Sequence, residues 1–475
     1  MIRLEHVGWT YPNAAAPALR DLDLHVRPGE LVVLCGASGS GKSSALRLMN
    51  GLIPHFHDEG TLTGTVTVGA LVTIQAELDE IGLLTGTVLQ HPRRQFFADT
   101  AREELAFAME NFGAPPAQIR ARVEGALAEL TAQMPTHVRL QRLSGGQQQQ
   151  VALAAATAHR PIVLLLAEPS SNLSADAIER LTTTLAAVRR AGVTIVVAEH
   201  RLAYLREILD RVVVMRDGAI DAVWSREEFR TVSDEELARE GLRGDVRSAH
   251  LAPVAASGSS VADPVAAGGD ADHPALELRG VRCQFGGRVV LDLNHARFAA
   301  GQVTAIRGAN GVGKSTLARI VTGLQRSTGS VLLGGAPLSM RARQRMSAIV
   351  MQDVQRQLFT DSVEAEIGLA GASAQEAAAV LEALDLAHLA ERHPLALSGG
   401  QQQRLVVAAV RVAGRRIVVF DEPSSGVDRR HLQSISDQIR QVAAGGTVVL
   451  LISHDDDLLA LAADTQLVLT RTERS

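Results

Sequence analysis

Three observations in the 475-residue sequence predict an α/β fold in two tandem copies, each a parallel sheet built around a phosphate-binding loop with a helical subdomain attached. First, GASGSGKSS at 36–44 and GANGVGKST at 308–316 both satisfy GxxxxGK[ST]. Each stands between an apolar strand candidate and a segment of helical apolar spacing. Second, short apolar runs such as IVLLLAEPS at 162–170 and IVVFDEPS at 417–424 have the length of buried parallel strands. Third, the landmarks recur in register: Ser144 and Ser398, Glu168 and Glu422, and His200 and His454 all lie 254 positions apart. Register kept over that distance points to a duplication.

The chain opens with MIRLEHVGWTYP, strand-like to Tyr11 and without the basic-then-apolar pattern of a secretion signal. The first phosphate loop follows: Gly36, Ala37, Ser38, Gly39, Ser40, Gly41, Lys42, Ser43 and Ser44. Its glycines let backbone N–H groups converge on phosphate oxygens, and the helix N-terminus behind them adds positive potential. Lys42 is expected to reach the β- and γ-phosphates of a nucleotide, and the Ser43 hydroxyl to ligate Mg²⁺. Between 115 and 142, Ile119, Val123, Leu127 and Leu130 recur at helical spacing and predict a helical subdomain, which runs into LSGGQ at 143–147. The strand at 162–170 comes next, and VTIVVAEH ends another at His200.

The first domain is placed at 1–242. Residues 243–275, rich in Ala, Gly, Ser, Pro and Asp without apolar periodicity, are expected to be a flexible linker. The second domain, 276–475, repeats the programme. Its loop is Gly308, Ala309, Asn310, Gly311, Val312, Gly313, Lys314, Ser315 and Thr316, with Lys314 and Ser315 in the roles of Lys42 and Ser43. LSGGQ returns at 397–401, and LLISH ends a strand at His454. The two loop lysines are 272 apart, so the first copy carries an insert, located around PHFHDEG. His55 and His57 in that insert have no cysteine or carboxylate at ligand spacing and read as polar surface.

With 47 Lys and Arg against 52 Asp and Glu, the net charge is −5, and no long basic run exists. That argues against affinity founded on nucleic-acid phosphates. Cys35 and Cys283, in no CxxC or Cys/His cluster, fit a reducing cytoplasm and not a zinc or iron–sulfur site. No apolar run approaches the roughly 18 residues of a membrane span, so a membrane role has to come through a partner.

A phosphate loop, LSGGQ and a strand ending in DEP, in that order, resemble the ATP-binding cassette family of ATPases, and the resemblance covers both halves, the first with AEP in place of DEP. The resemblance implies two cassettes, each with a RecA-like parallel-sheet core, an antiparallel β part and a helical subdomain. It implies ATP and Mg²⁺ as cofactors, and two cassettes of one chain pairing head to tail, each ATP between one phosphate loop and the other LSGGQ. Ser144, Gly145, Gly146 and Gln147, and Ser398, Gly399, Gly400 and Gln401, are then the closing halves, where a serine hydroxyl, close backbone approach and a helix N-terminus meet the γ-phosphate. By the same resemblance Asp421 holds Mg²⁺, Glu422 accepts a proton from the attacking water, and His454 senses or stabilises the γ-phosphate. Glu168 and His200 are their first-half counterparts. Gln90 and Gln352 match the family's glutamine loop, which contacts Mg²⁺ or water and transmits closure to a membrane subunit. Tyr11 and Phe285 stand where the family stacks an aromatic on adenine; core packing at a strand end is the competing reading.

The halves differ at Ala167, where the family and Asp421 have a carboxylate, and at Ser174, where the second half has Asp428. Losing an outer-shell carboxylate typically costs about 10–100-fold in affinity or activity. The site on Lys42, Glu168 and His200 is therefore expected to bind ATP and hydrolyse it poorly. Tolerance of Ala167, with Ser43 and the phosphates still holding Mg²⁺, is the alternative. The segments QHPRRQFFADTAREELAF from Gln90 and QDVQRQLFTDSVEAEIGL from Gln352 resemble the ATPases of energy-coupling factor importers. Those take up vitamins or transition-metal ions through a transmembrane coupling protein and a small substrate-binding membrane protein. NGLIPHF at 50–56 is similar to fused members tied to thiamine or hydroxymethylpyrimidine uptake. The implied location is peripheral, on the cytoplasmic face of the membrane, with no nucleic-acid partner. Phe96, Phe97, Leu358 and Phe359 are either subdomain core or the flanks of a groove for a membrane partner's helix. The rival functions are a fused sugar-importer ATPase and a ribosome-associated double cassette without a transporter.

Overall fold

The computed structural model describes residues 1–242, 251–254, 274–424 and 429–470, except positions 13, 15, 58, 132, 133, 136, 172, 310, 352 and 353. Two compact units, Met1–Asp245 and Val246–Ser475, are each α/β.

In the first unit, β1 (Ile2–Thr10), β2 (Leu19–Val26), β4 (Thr61–Val68) and β5 (Leu71–Val72) form an antiparallel sheet in the order β2-β1-β4-β5. Along β1 buried and exposed residues largely alternate, as expected where one sheet face meets the core and the other meets water. β3 (Leu31–Cys35), β6 (Thr85–Val88), β7 (Val163–Ala167), β8 (Thr194–Ala198), β9 (Arg211–Arg216) and β10 (Ala219–Ser225) form the second sheet, ordered β10-β9-β3-β8-β7-β6. It is parallel except for the β10–β9 hairpin. β3 and β8 are buried at every position because both faces are covered. One core joins the antiparallel sheet to one face of this sheet through helix Lys42–Met49, with Leu4, Trp9, Leu46, Met49, Leu34 and Val196 in contact. The helical subdomain has its own core, in which Val123, Leu127 and Leu130 of helix Pro116–Thr131 are buried and Ile119 packs alongside, as their spacing predicts.

The second unit repeats this plan. β12 (Leu276–Phe285), β13 (Arg288–Phe298), β15 (Thr328–Leu333) and β16 (Ala336–Pro337) form the antiparallel sheet, ordered β13-β12-β15-β16. β14 (Val303–Arg307), β17 (Ser347–Val350), β18 (Ile417–Asp421), β19 (Val448–Ile452) and β20 (Thr465–Val468) are joined by β11 (Ala252–Pro253) in a sheet ordered β11-β20-β14-β19-β18-β17. Every pairing in it is parallel.

β11 corrects the linker expectation for 243–275. Ala252 pairs with Thr465 and Pro253 with Gln466, while the Val254 N–H donates to Gln466 O at 2.8 Å. Proline is tolerated because β11 is an edge strand and needs no donor on its outer side. The remaining linker positions, apart from 251–254, 274 and 275, lie outside the described residues.

Candidate functional site

Each phosphate loop leaves the end of a buried central strand and enters a helix at its lysine. Gly36, Gly39 and Gly41, and Gly308, Gly311 and Gly313, all have φ between 78° and 139°. Space requires glycine at two of these in each half. A Cβ on Gly36 would lie 2.1 Å from Met215 O, and one on Gly308 2.4 Å from Leu469 O. At Gly41 and Gly313 it would lie 2.7 Å from Ala18 O and Val290 O. Lys42 Nζ donates to Gly36 O (2.8 Å), Ala37 O (2.9 Å) and Ser40 Oγ (3.2 Å). Lys314 Nζ repeats this with Gly308 O (2.7 Å) and Ala309 O (3.2 Å). A buried ammonium thus sits in a cradle of backbone at a helix N-terminus, an arrangement suited to phosphate. Asn310 lies outside the described residues.

The second half gathers the expected hydrolytic residues around that lysine. Asp421 ends β18 and its carboxylate is hydrogen-bonded to Ser315. Burial pushes the Asp421 carboxyl up, opposed by Ser315, Lys314 and Arg319. Burial lowers the Lys314 ammonium, opposed by Glu422 and Asp421. A hydroxyl and a buried carboxylate side by side make the hard-oxygen donor set that Mg²⁺ prefers, so the residues fit the ion. The first half has Ser43 but no carboxylate beside it, because Ala167 stands at the end of β7.

Glu422 follows at φ 55° and Glu168 at φ 44°, a left-handed backbone that is uncommon outside glycine and clusters at functional sites. Both N–H groups donate at 2.8 Å across the sheet, Glu422 to Ile452 O and Glu168 to Ala198 O. The side chains part company. Glu422 Oε2 accepts from Ser453 Oγ and His454 N, both at 3.3 Å, with His454 Nε2 3.8 Å from Oε1. Burial raises the Glu422 carboxyl to about 7, with Asp421 and Asp455 adding to the rise and His454 N and Lys314 opposing it. Glu168 Oε2 accepts from Gln90 Nε2 at 2.7 Å and Ser171 Oγ at 3.3 Å, and Oε1 lies 3.3 Å from His200 Nε2. Burial also pushes Glu168 up, but His200, Lys42 and Ser171 outweigh it and hold the carboxyl below its ordinary value. Gln352, the counterpart of Gln90, lies outside the described residues.

Both LSGGQ segments start helices, Gly145–Ala158 and Gly399–Val412. Ser144 caps the first by accepting from Gln147 N, and the Gln147 side chain returns a bond to Ser144 N at 2.9 Å. Ser398 and Gln401 repeat this, at 2.8 Å for the returning bond. The glutamine therefore closes a capping box that fixes the helix mouth. The two glycines of the first segment differ. A Cβ on Gly145 would meet nothing within 4 Å, whereas one on Gly146 would lie 2.9 Å from Ala177 Cβ. Gly145, like Gly399, leaves room for a ligand's approach; Gly146 is small because helix Ala175–Arg190 packs on it.

Tyr11 OH is 3.0 Å from Ser44 Oγ and accepts from Arg47 at 3.0 Å, with Trp9 and His57 edge-on to its ring. It lies against its own phosphate-loop helix. Phe285, without a hydroxyl, ends β12 exposed. In the insert, His55 Nε2 is 2.9 Å from Thr73 O.

The segments after the glutamine loops split the four apolar residues singled out there. Phe96 packs into the core and Leu358 is buried, while Phe97 and Phe359 are 76% and 78% exposed. Sequence reasoning missed what presents them. The buried Glu104 carboxylate accepts from Phe97 N (3.0 Å) and Ala98 N (2.9 Å), and the buried Glu366 carboxylate from Phe359 N (3.0 Å) and Thr360 N (3.1 Å). Gln95 and Gln357 were missed too: their Oε1 atoms accept from Leu89 N (2.8 Å) and Met351 N (2.7 Å), the residues that precede Gln90 and Gln352 in sequence. The signal was present, since both residue types recur at the same offset in the two repeats.

The ABC transporter family model matches residues 19–171 and 292–425. A protein of Treponema denticola named "Putative ABC transporter ATP-binding protein" is 37% identical over 475 residues, covering 99% of this chain and 95% of its own length. One of Bacillus subtilis named "Putative HMP/thiamine import ATP-binding protein YkoD" is 30% identical over 499 residues, covering 99% and 90%. The solved archaeal ribosome recycling factor aABCE1, in complex with ribosomal stalk protein aP1, superposes with TM-score 0.60 at 20% identity, covering 98% of this chain and 87% of that one; at that identity the likeness concerns the fold alone.

Proposed function

The chain belongs to the ABC transporter family, with two ATP-hydrolysing cassettes in tandem, and on that footing we propose that it drives an importer of the energy-coupling factor kind. In this reading it docks at the cytoplasmic face of the membrane on a transmembrane coupling protein, which works with a small substrate-binding membrane protein. Among the described residues no helix is long and apolar enough to cross a membrane, so the transport path belongs to those partners. The observation that carries the reading is the doubled element after the glutamine loops, an exposed phenylalanine held out by a buried glutamate in each half. Two apolar side chains kept in water by dedicated buried carboxylates suit docking on a partner helix. The thiamine-import name of the Bacillus subtilis relative favours a vitamin such as thiamine or hydroxymethylpyrimidine as cargo over cobalt or nickel ion.

In the second half Lys314 would bind the β- and γ-phosphates, and Ser315 and Asp421 would hold Mg²⁺, which would supply charge neutralisation on those phosphates. Glu422 takes a proton from water as the water oxygen bonds to the γ-phosphorus and the bridging P–O bond to ADP breaks. His454 faces the same γ-phosphate. The first site, lacking a carboxylate at Ala167, binds ATP and turns over slowly.

Copurification with a polytopic membrane protein from detergent-solubilised membranes is the expected result; ribosome association in its place overturns the transporter reading. In steady-state hydrolysis Glu422→Gln is expected to lose on the order of 100-fold or more, and Glu168→Gln far less. Equal losses would remove the asymmetry.

A further inference from the structure

We propose that Ser453 is a positioning residue for Glu422, and that Glu199, at its place in the first half, withdraws the same support from Glu168. This rests on the assignment of Glu422 as the residue that takes the proton from water.

Ser453 follows β19 and is 3% exposed. Its Oγ accepts from Asp455 N at 3.0 Å, which directs its single proton elsewhere, and Glu422 Oε2 receives it at 3.3 Å. The next N–H, of His454, donates to the same oxygen at 3.3 Å. Two donors from one rigid strand end therefore fix one carboxylate oxygen, while the Glu422 backbone is pinned to Ile452 O of that same strand. Side chain and backbone of the glutamate are referenced to a single element, which limits the rotations that would turn its carboxylate away from an attacking water.

The first half has the same strand, β8, and the same backbone bond to Ala198 O, but Glu199 stands where Ser453 stands. Its buried carboxylate takes the local donors for itself. Oε1 accepts from His200 N (2.8 Å) and Arg201 N (3.2 Å), and Oε2 from Tyr204 OH (3.0 Å) and Ser170 N (3.3 Å). The N–H that in the second half reaches the base is thus turned onto a neighbouring acid, and the strand end offers Glu168 no hydroxyl at the place of Ser453. Glu168 is held by Gln90, Ser171 and His200 side chains. This difference is independent of Ala167 and acts on the glutamate, not on Mg²⁺.

The test uses the full chain carrying Glu168→Gln, so that turnover reports the second site. Ser453→Ala is expected to lower kcat about 10-fold, within the range for lost outer-shell contacts, with KM for ATP within about twofold. Ser453→Thr, which keeps the hydroxyl, is expected to restore most of kcat. Ser453→Cys, of similar size and a weaker donor, should fall between Ser and Ala, and melting temperatures identify any variant whose loss is only one of folding. An unchanged kcat in Ser453→Ala overturns the proposal, as does a loss that appears equally in Ala and in a fully folded Thr variant. If Glu422→Gln retains full turnover, the assignment of the base fails instead; if Glu422→Gln is inactive and Ser453→Ala is unaffected, only the positioning role fails.

Discussion

Glu422 couples the chemistry of the second site to the stability of the unliganded chain. Its carboxyl ordinarily titrates at 4.5 and in the folded protein at about 7, chiefly through burial. Below 4.5 both states hold the proton. Between 4.5 and 7 the unfolded chain releases it while the folded chain keeps it, so this residue's contribution is fully present below 4.5 and is lost as pH rises through 7. A shift of one unit corresponds to about 1.4 kcal/mol, so the change across the window is of order a few kcal/mol. Without nucleotide and with Mg²⁺ chelated, melting temperature should fall between pH 5 and 8, and Glu422→Gln should shallow that fall. Asp421, also raised by burial, adds a slope of the same sign. A Gln variant as pH-sensitive as the parent would show that Glu422 is not the buried acid responsible. At this scale the motif residues were legible because their types are dictated by chemistry. Ser453 and Glu199 were not, since a serine or glutamate beside a histidine acquires meaning only when the strand end meets the loop after β18 or β7.

The elements that carry these residues were legible to the extent that they are periodic or fully apolar. β3, β7, β14 and β18 could be read from unbroken apolar runs, and helix Pro116–Thr131 from its stripe. The turns that follow the glutamine loops could not, because they are organised by one buried carboxylate bonding to backbone N–H groups seven and six residues earlier in sequence. Charge-assisted bonds of that kind contribute about 1.5–3 kcal/mol each. Glu366→Ala should therefore release Phe359 N and Thr360 N, raising their amide exchange by roughly 10- to 100-fold, an opening of about 1.4–3 kcal/mol. Amides of β18 should remain protected in the same experiment, since that strand is paired on both sides. Unchanged exchange at 359 and 360 would mean the turn is held by its flanking helix and not by the carboxylate. Loss of copurifying membrane protein in the same variant would tie the presentation of Phe359 to docking.

For the whole molecule, duplication was the most legible property, because landmarks 254 residues apart survive any local ambiguity. Composition without apolar periodicity left 243–275 as linker, yet the sheet edge covered by β10 in the first unit is covered by β11 in the second. The two solutions answer one problem: β9 and β20 each pair with the phosphate-loop strand on one side and would leave open backbone on the other. The first unit closes that edge with the hairpin strand that follows β9, antiparallel. The second closes it with residues that precede the domain by some twenty positions in sequence, in parallel. A two-residue strand ending in proline has no periodicity to read, which is why composition alone assigned it to a linker. Its bonds are specific: Gln466 Nε2 donates to Leu251 O at 2.8 Å, and Val254 N to Gln466 O at 2.8 Å. Val254→Pro removes that donor and leaves Gln466 O without it, at a cost of about 1 kcal/mol. Calorimetry of the full chain should show the transition of the second unit lowered by roughly 2–4 °C and that of the first unmoved, while Val254→Ala, which keeps the N–H, should leave both in place. A Pro variant that melts like the parent would return 251–254 to the linker and leave the edge of β20 to be covered by something else.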